Sequence, residues 1–120
     1  MTEPLVLVVE DEEVLRRLIV RMLSRLGYRV QEAADGEEGL SRVQDHPESF
    51  SLILSDVVMP RLSGPEMVAQ LRASGDETPV AFMSGYSGDA LEPAEEYGNL
   101  LPKPFTMEEL RNFVREALSG

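Results

Sequence analysis

Short apolar runs and amphipathic stretches take turns along the chain, and that alternation narrows the fold more than any other feature. Leu5-Val6-Leu7-Val8-Val9 is continuous and rich in β-branched residues, the pattern of a strand covered on both faces, as in a parallel sheet. Val14, Leu15, Leu18, Ile19, Met22, Leu23 and Leu26 then recur at helical spacing, with arginines between them and Gly27 at the end, which predicts an amphipathic helix. Tyr28 to Ala34 alternates in part and reads as a second, more exposed strand. Asp35-Gly36-Glu37-Glu38 offers an N-cap with a glutamate three residues on; Leu40 and Val43 give the next helix an inner face, and His46-Pro47 ends it. Ser51 to Asp56 is a third, buried strand, closed behind by Pro60.

Ser63-Gly64-Pro65-Glu66 opens a third helix with proline in its first turn, and Met67, Val68 and Leu71 mark its buried stripe. Val80-Ala81-Phe82-Met83 is a fourth strand. The segment after Gly88 is poorly patterned and interrupted by Glu92-Pro93, which predicts a short, shifted or mobile helix. Asn99-Leu100-Leu101 is a short fifth strand. Thr106 and Glu109 form a capping box, and Leu110, Phe113, Val114, Ala117 and Leu118 turn the last helix inward. Five strands alternating with five helices predict an α/β fold: a single doubly wound parallel sheet, helices on both faces, joined by right-handed crossovers.

The 120 residues suffice for one domain with one core. Eleven basic residues face 22 acidic ones, a net charge of −11, and a field of that sign repels phosphate backbones and anionic lipid. Direct nucleic-acid binding and membrane contact are therefore not expected. With no cysteine, disulfides, thiolate metal sites and cysteine nucleophiles are excluded. No apolar run has the length of a membrane span and the N-terminus lacks a signal-peptide layout, so a cytoplasmic domain is expected. Neither Gly-x-Gly-x-x-Gly nor a Gly-Lys-Ser/Thr phosphate loop occurs. His46, the single histidine, lies beside a proline with no second base or ligand near it, and no role is assigned to it.

The strands end on polar residues of particular kinds. The first gives Glu10 and Asp11, the third Asp56, the fourth Ser84, the fifth Lys103. In a parallel sheet these ends face one crevice. Asp56 alone would read as a turn residue or a helix cap; the set reads as a site. Three carboxylates held together raise one another's pKa unless a cation joins them. All-oxygen ligands suit Mg²⁺. An aspartate is a competent nucleophile towards phosphoryl groups, and the transferring oxygens need positive partners such as Mg²⁺ and Lys103, with the Ser84 hydroxyl beside them.

Leu7-Val8-Val9-Glu10-Asp11-Glu12, Leu54-Ser55-Asp56-Val57-Val58-Met59-Pro60, Met83-Ser84-Gly85-Tyr86 and Leu101-Pro102-Lys103-Pro104-Phe105 resemble the signature blocks of receiver domains, the phospho-accepting domains of two-component response regulators. The four blocks occur in order and span essentially the whole chain. The resemblance implies one receiver domain over residues 1–120, flavodoxin-like, with strand order 2-1-3-4-5. It implies Asp56 as phospho-acceptor and an acidic pocket of Glu10 and Asp11 holding Mg²⁺, Asp11 the more direct ligand. The backbone carbonyl of Val58 would be a further ligand, Ser84 the hydroxyl that moves to the phosphoryl group, and Lys103 its counter-charge, followed by a cis bond to Pro104. The implied donor is a histidine kinase or a histidine phosphotransfer protein. A phosphorylation-dependent dimer is compatible with the family, though no residue pattern here specifies one. Arg16, Arg17 and Arg21 are candidates for docking the donor, although solvated helix charges are the commoner reading of each.

The chain departs from the family pattern in three places. Glu10 stands where aspartate is usual, and its longer arm suggests a contact to the metal through water. Leu100, three before Lys103, stands where the family's aromatic switch residue usually lies, so an inward-moving ring cannot be the readout there; Tyr86 is the expected substitute. Val58 has no polar side chain to position a hydrolytic water, which predicts a long-lived phosphoryl group. The Met83 to Ala90 block is also similar to receivers fused to the C-terminus of hybrid sensor kinases, and in part to a subgroup with Phe-x-Thr-Gly-Tyr there. Two other readings compete. A phosphatase with an aspartyl nucleophile usually has a second acid two residues on, where this chain has Val58. A phosphorylation-independent interaction module would have been favoured by loss of Asp56, Asp11 or Lys103, and all three are present. The expectation is a domain that accepts phosphate and dephosphorylates itself without turning over external substrates. No output domain follows the last helix, which fits a stand-alone regulator or, more readily, a piece of a longer chain.

Overall fold

The computed structural model describes residues 3–46, 48–85 and 92–119, with the side chains of residues 92 and 93 outside that description. The elements run β1 (Leu5–Val9), α1 (Glu13–Arg25), β2 (Arg29–Ala33), α2 (Gly36–Asp45), β3 (Leu52–Asp56), α3 (Gly64–Ala73), β4 (Val80–Ser84), α4 (Glu92–Glu95), β5 (Leu100–Pro102) and α5 (Met107–Ser119). The strands pair in parallel in the order β2-β1-β3-β4-β5, the expected 2-1-3-4-5.

Side chains alternate across a strand, and this splits the core in two. Leu5, Leu7, Val9, Ile53 and Phe82 point to the face covered by Met67, Val68 and Leu71 of α3, with Leu40 and Val43 of α2 at its margin. Val6, Val8, Leu52, Leu54, Ala81 and Met83 point to the other face, covered by Ile19 and Leu23 of α1 and Leu110 and Val114 of α5. Both faces of β1 and β3 are therefore dry, which is why those strands are apolar at nearly every position. Truncating one such residue, Leu54→Ala for example, costs about 2–5 kcal/mol. β2, at the sheet's edge, is half-exposed along most of its length, as its mixed sequence predicts.

The caps follow the sequence closely. Ser63 and Glu66 exchange both hydrogen bonds of a capping box at α3, and Thr106 and Glu109 do the same before α5. At α2, Asp35 accepts from the Glu38 N–H as expected, but the Glu38 carboxylate reaches back to the Ala34 N–H instead of the cap's own.

Two expectations need correction. The alternation predicts five helices, the fourth of them short, shifted or mobile; four have ten residues or more, and α4 is a single described turn of four. Pro93 fits only the first turn of a helix. At the far end Gly98 presses on β4, where a Cβ would lie 2.0 Å from the Val80 carbonyl oxygen, so the chain must leave the helix there. The apolar stripe of α1 is also only partly covered. Ile19 and Leu23 are buried, whereas Val14 is 76% and Leu18 48% exposed, because no described element packs over that side of the helix's first turns.

Candidate functional site

Register carries the acids together. Val9 of β1 lies opposite Ser55 of β3, so the next residues, Glu10 and Asp56, leave the sheet side by side. Met83 pairs with Asp56, and Ser84 with Pro102, which brings Lys103 to the same rim. Glu10, Asp11, Glu12, Asp56, Val58, Gly85 and Lys103 line one pocket of about 350 Å³. Of the residues expected at the site, the structure thus gathers Glu10, Asp11, Asp56, Val58 and Lys103. Ser84 is buried at the end of β4, and its carbonyl accepts from the Lys103 N–H at 2.8 Å, so the β4 and β5 ends are tied at the pocket's edge. Leu100, half-buried, pairs with Phe82 and packs on the α2/α3 core. Tyr86 lies outside the described residues.

Asp56 is buried, as is Glu10 at 1% exposure. A buried carboxylate needs partners, and each acid has them. Lys103 Nζ donates to Glu10 Oε1 at 2.7 Å and to Asp56 Oδ2 at 3.2 Å. Glu10 Oε2 accepts from the Glu12 N–H at 3.0 Å, and Asp56 Oδ1 from the Val57 N–H at 2.9 Å. The β3–α3 junction fits closely behind Asp56: a Cβ on Gly64 would lie 2.4 Å from the Asp56 carbonyl oxygen and 2.9 Å from the Phe82 ring, so only glycine allows α3 to start there. Gly64 N–H in turn donates to the Val57 carbonyl at 2.9 Å.

These surroundings set the electrostatics. Burial, and then the neighbouring Glu10 carboxylate, push the Asp56 carboxyl up to about 6 against the opposing pull of Lys103. Asp11 is raised as well, by partial burial of its carboxyl and by contact with Glu10. Burial alone would lower the Lys103 ammonium, but the Glu10 and Asp56 carboxylates more than reverse this and hold it above its ordinary range. The pocket therefore holds more negative charge than its one ammonium neutralises. Glu10, Asp11 and Asp56 each offer a carboxylate oxygen, all within 4.8 Å of one another. An all-oxygen cluster with solvent access fits a hard divalent cation.

Sequence reasoning missed one member of this neighbourhood. Arg16 is not a free docking charge: its Nη1 donates to the Glu10 carbonyl at 3.0 Å and its Nε pairs with Glu32 at 2.9 Å. It braces the turn that carries the acids. Nothing in the sequence of α1 distinguishes Arg16 from its neighbours; only the adjacent edge strand supplies Glu32. The Lys103–Pro104 bond is cis, as the resemblance implies.

The profile of the response regulator receiver domain family matches residues 6–115. The chain belongs to that family. As a receiver domain it is 40% identical over 116 residues to the sensor kinase CckA of Brucella abortus, covering 94% of this chain and 12% of that protein. It is 32% identical to the response regulator receiver protein CpdR of the same organism, covering 94% of this chain and 95% of CpdR. Among solved structures, the receiver domain from the hybrid histidine kinase CckA aligns with a TM-score of 0.80 at 36% identity, over 95% of this chain and 98% of that one. The Vibrio cholerae chemotaxis protein CheY4 aligns with a TM-score of 0.88 at 30% identity, over 98% and 100%. Receiver domains of this kind are modules of response regulators and hybrid kinases, not turnover enzymes in general. Among the described residues, no helix of this receiver domain is long and apolar enough to cross a membrane.

Proposed function

We propose that this receiver domain, taken as one unit over residues 1–120, accepts a phosphoryl group on Asp56 from a phosphohistidine of a histidine kinase or histidine phosphotransfer protein. The observation that carries this reading is the Lys103 ammonium lying between the Glu10 and Asp56 carboxylates in an acidic pocket. An Asp56 carboxylate oxygen attacks phosphorus, the bond from phosphorus to the donor's imidazole nitrogen breaks, and the electron pair returns to the imidazole. Lys103 would pair with a transferring oxygen, and the hydroxyl of Ser84, buried at the end of the adjacent β4, would move to take another. Glu10, Asp11 and Asp56, with the Val58 carbonyl, would hold Mg²⁺. When bound, that ion neutralises charge on the phosphoryl oxygens. Val58 is 42% exposed at the pocket and offers no polar atom beyond its backbone, which supports slow hydrolysis of the acyl phosphate.

The donor's approach has a surface to match. An apolar groove of about 240 Å³ runs between Leu15, Leu18 and Met22 of α1 and Pro104 and Phe105, and shares Lys103 with the acidic pocket. A helical histidine carrier seated there would bring its imidazole to the pocket's mouth. The net charge of −11 argues against nucleic acid as a direct partner, and the proposed location, the cytoplasm, rests on the family resemblance.

Intact-mass spectrometry after incubation with acetyl phosphate and Mg²⁺ tests the reading. One added phosphate, absent in Asp56→Asn and slow to disappear after the donor is removed, is the expected result. No adduct with any donor, or an adduct that persists in Asp56→Asn, overturns it. Size-exclusion chromatography of the same sample reads whether phosphorylation makes a dimer.

A further inference from the structure

Arg61 is the one non-glycine with a positive φ among the described residues, at 68°. An L side chain disfavours that region, which glycine enters freely. The Leu62 N–H donates to the Pro60 carbonyl at 2.8 Å, closing a three-residue γ-turn in its strained, positive-φ form with Arg61 at the centre. Nothing local recommends arginine at this point. A distant contact does: Arg61 Nη2 donates to Asp35 Oδ2 across 26 residues of sequence.

Asp35 is itself fixed. Its other oxygen caps α2 by accepting from the Glu38 N–H at 2.8 Å, and its side chain is only 12% exposed. The backbones of the two loops also touch. A Cβ on Gly36 would lie 2.3 Å from the Leu62 carbonyl oxygen, so the start of α2 lies directly on the turn. The segment from Val57 to Gly64 is thus pinned at its base by the Gly64 N–H to Val57 carbonyl bond and at its tip by Arg61 and Asp35. Between the pins lie Val57, whose N–H holds Asp56 Oδ1, and Val58, which lines the acidic pocket.

We propose that Asp35 and Arg61 are positioning residues for the acidic pocket, their ion pair holding a strained turn so that the Val57-Val58 backbone keeps its place beside Asp56. The inference rests on the reading of that pocket as a Mg²⁺ and phosphoryl site. Neither residue touches the pocket; both act through the loop, as outer residues orient the ligands of a metal.

The test is calorimetric titration of MgCl₂ into the parent chain, Arg61→Ala, Arg61→Gly and Asp35→Asn, with circular dichroism of each. Arg61→Ala keeps the strain and loses the ion pair, and its Mg²⁺ affinity should fall about tenfold. Arg61→Gly loses both and should stay near the parent. Asp35→Asn keeps the capping oxygen and hence α2, so its affinity should fall with the helix signal unchanged; it carries the test if Arg61→Ala does not fold. A merely structural role would move stability and leave affinity alone. Parental affinity in both Arg61→Ala and Asp35→Asn overturns the inference, as does a loss in Arg61→Gly equal to that in Arg61→Ala. A parent chain that takes up no Mg²⁺ overturns the pocket reading and this inference with it.

Discussion

Lys103 lies closer to Glu10 than to Asp56, with Nζ 2.7 Å from Glu10 Oε1 and 3.2 Å from Asp56 Oδ2. The side chain cast as counter-charge to the phosphoryl group is thus already engaged by a second acid.

Glu10→Gln should accordingly do two things. Removing a negative neighbour favours the ionised form of Asp56, so its midpoint should fall from about 6, as followed by carboxyl NMR. The loss of one carboxylate from the cluster should weaken Mg²⁺ binding by about tenfold. An unmoved Asp56 midpoint would show that Glu10 does not set the charge of the pocket.

Asp56→Asn should stabilise the metal-free protein at neutral pH. The folded pKa of Asp56 is raised from 3.8 to about 6, so its contribution to stability is fully present below the unfolded value and is lost as pH rises through about 6. Above that, a buried charge opposes folding. Urea unfolding at pH 7.5 should find the variant more stable by on the order of 1 kcal/mol, with the gap closing near pH 4. Saturating Mg²⁺ should reverse the order, because only the parent keeps the full ligand set. A variant no more stable than the parent at pH 7.5 without metal contradicts this.

Asp35→Ala should behave in the opposite sense. The Asp35 carboxyl is held below its ordinary range by the backbone N–H of Glu38, with Arg61 adding to the effect against burial. A lowered folded pKa gives stability that is present above the unfolded value and lost as pH falls through the folded one. The variant should lose about 1 kcal/mol at pH 7, and the deficit should shrink below about pH 4. A deficit that stays constant into the acid range would assign the loss to packing alone.

Val58→Asn should shorten the life of the phosphorylated form, since an amide at the mouth of the pocket can orient an attacking water, as glutamine does in other phosphoryl-transfer sites. The decay is read by mass after the phosphodonor is removed. Equal decay in parent and variant would show that this position does not limit hydrolysis.

The sheet and most of the site were legible because strands buried on both faces must be apolar, so a polar residue at their ends stands out. Glu10, Asp11, Asp56 and Lys103 could be found for that reason. Pairings between side chains could not. Arg16 looks like Arg17 in the sequence, yet Arg16 meets Glu32 across the sheet edge while Arg17 pairs with Glu13 in solvent. Arg61 was illegible for a related reason: Met-Pro-Arg-Leu holds no glycine to announce a positive φ, and the partner that holds the turn is far away in sequence. Apolar spacing marked Val14 and Leu18 as one face of α1, but spacing does not say whether another element will cover that face.

The two strands that carry the acids, β1 and β3, are each hydrogen-bonded along both sides, to β2 and β3 in one case and to β1 and β4 in the other. A strand stitched on both flanks cannot slide or tilt without breaking two ladders. The buried acids Glu10 and Asp56 are therefore mounted on doubly paired strands, and under the proposed function any message that leaves them would be carried by the connecting segments, while the frame beneath stays still.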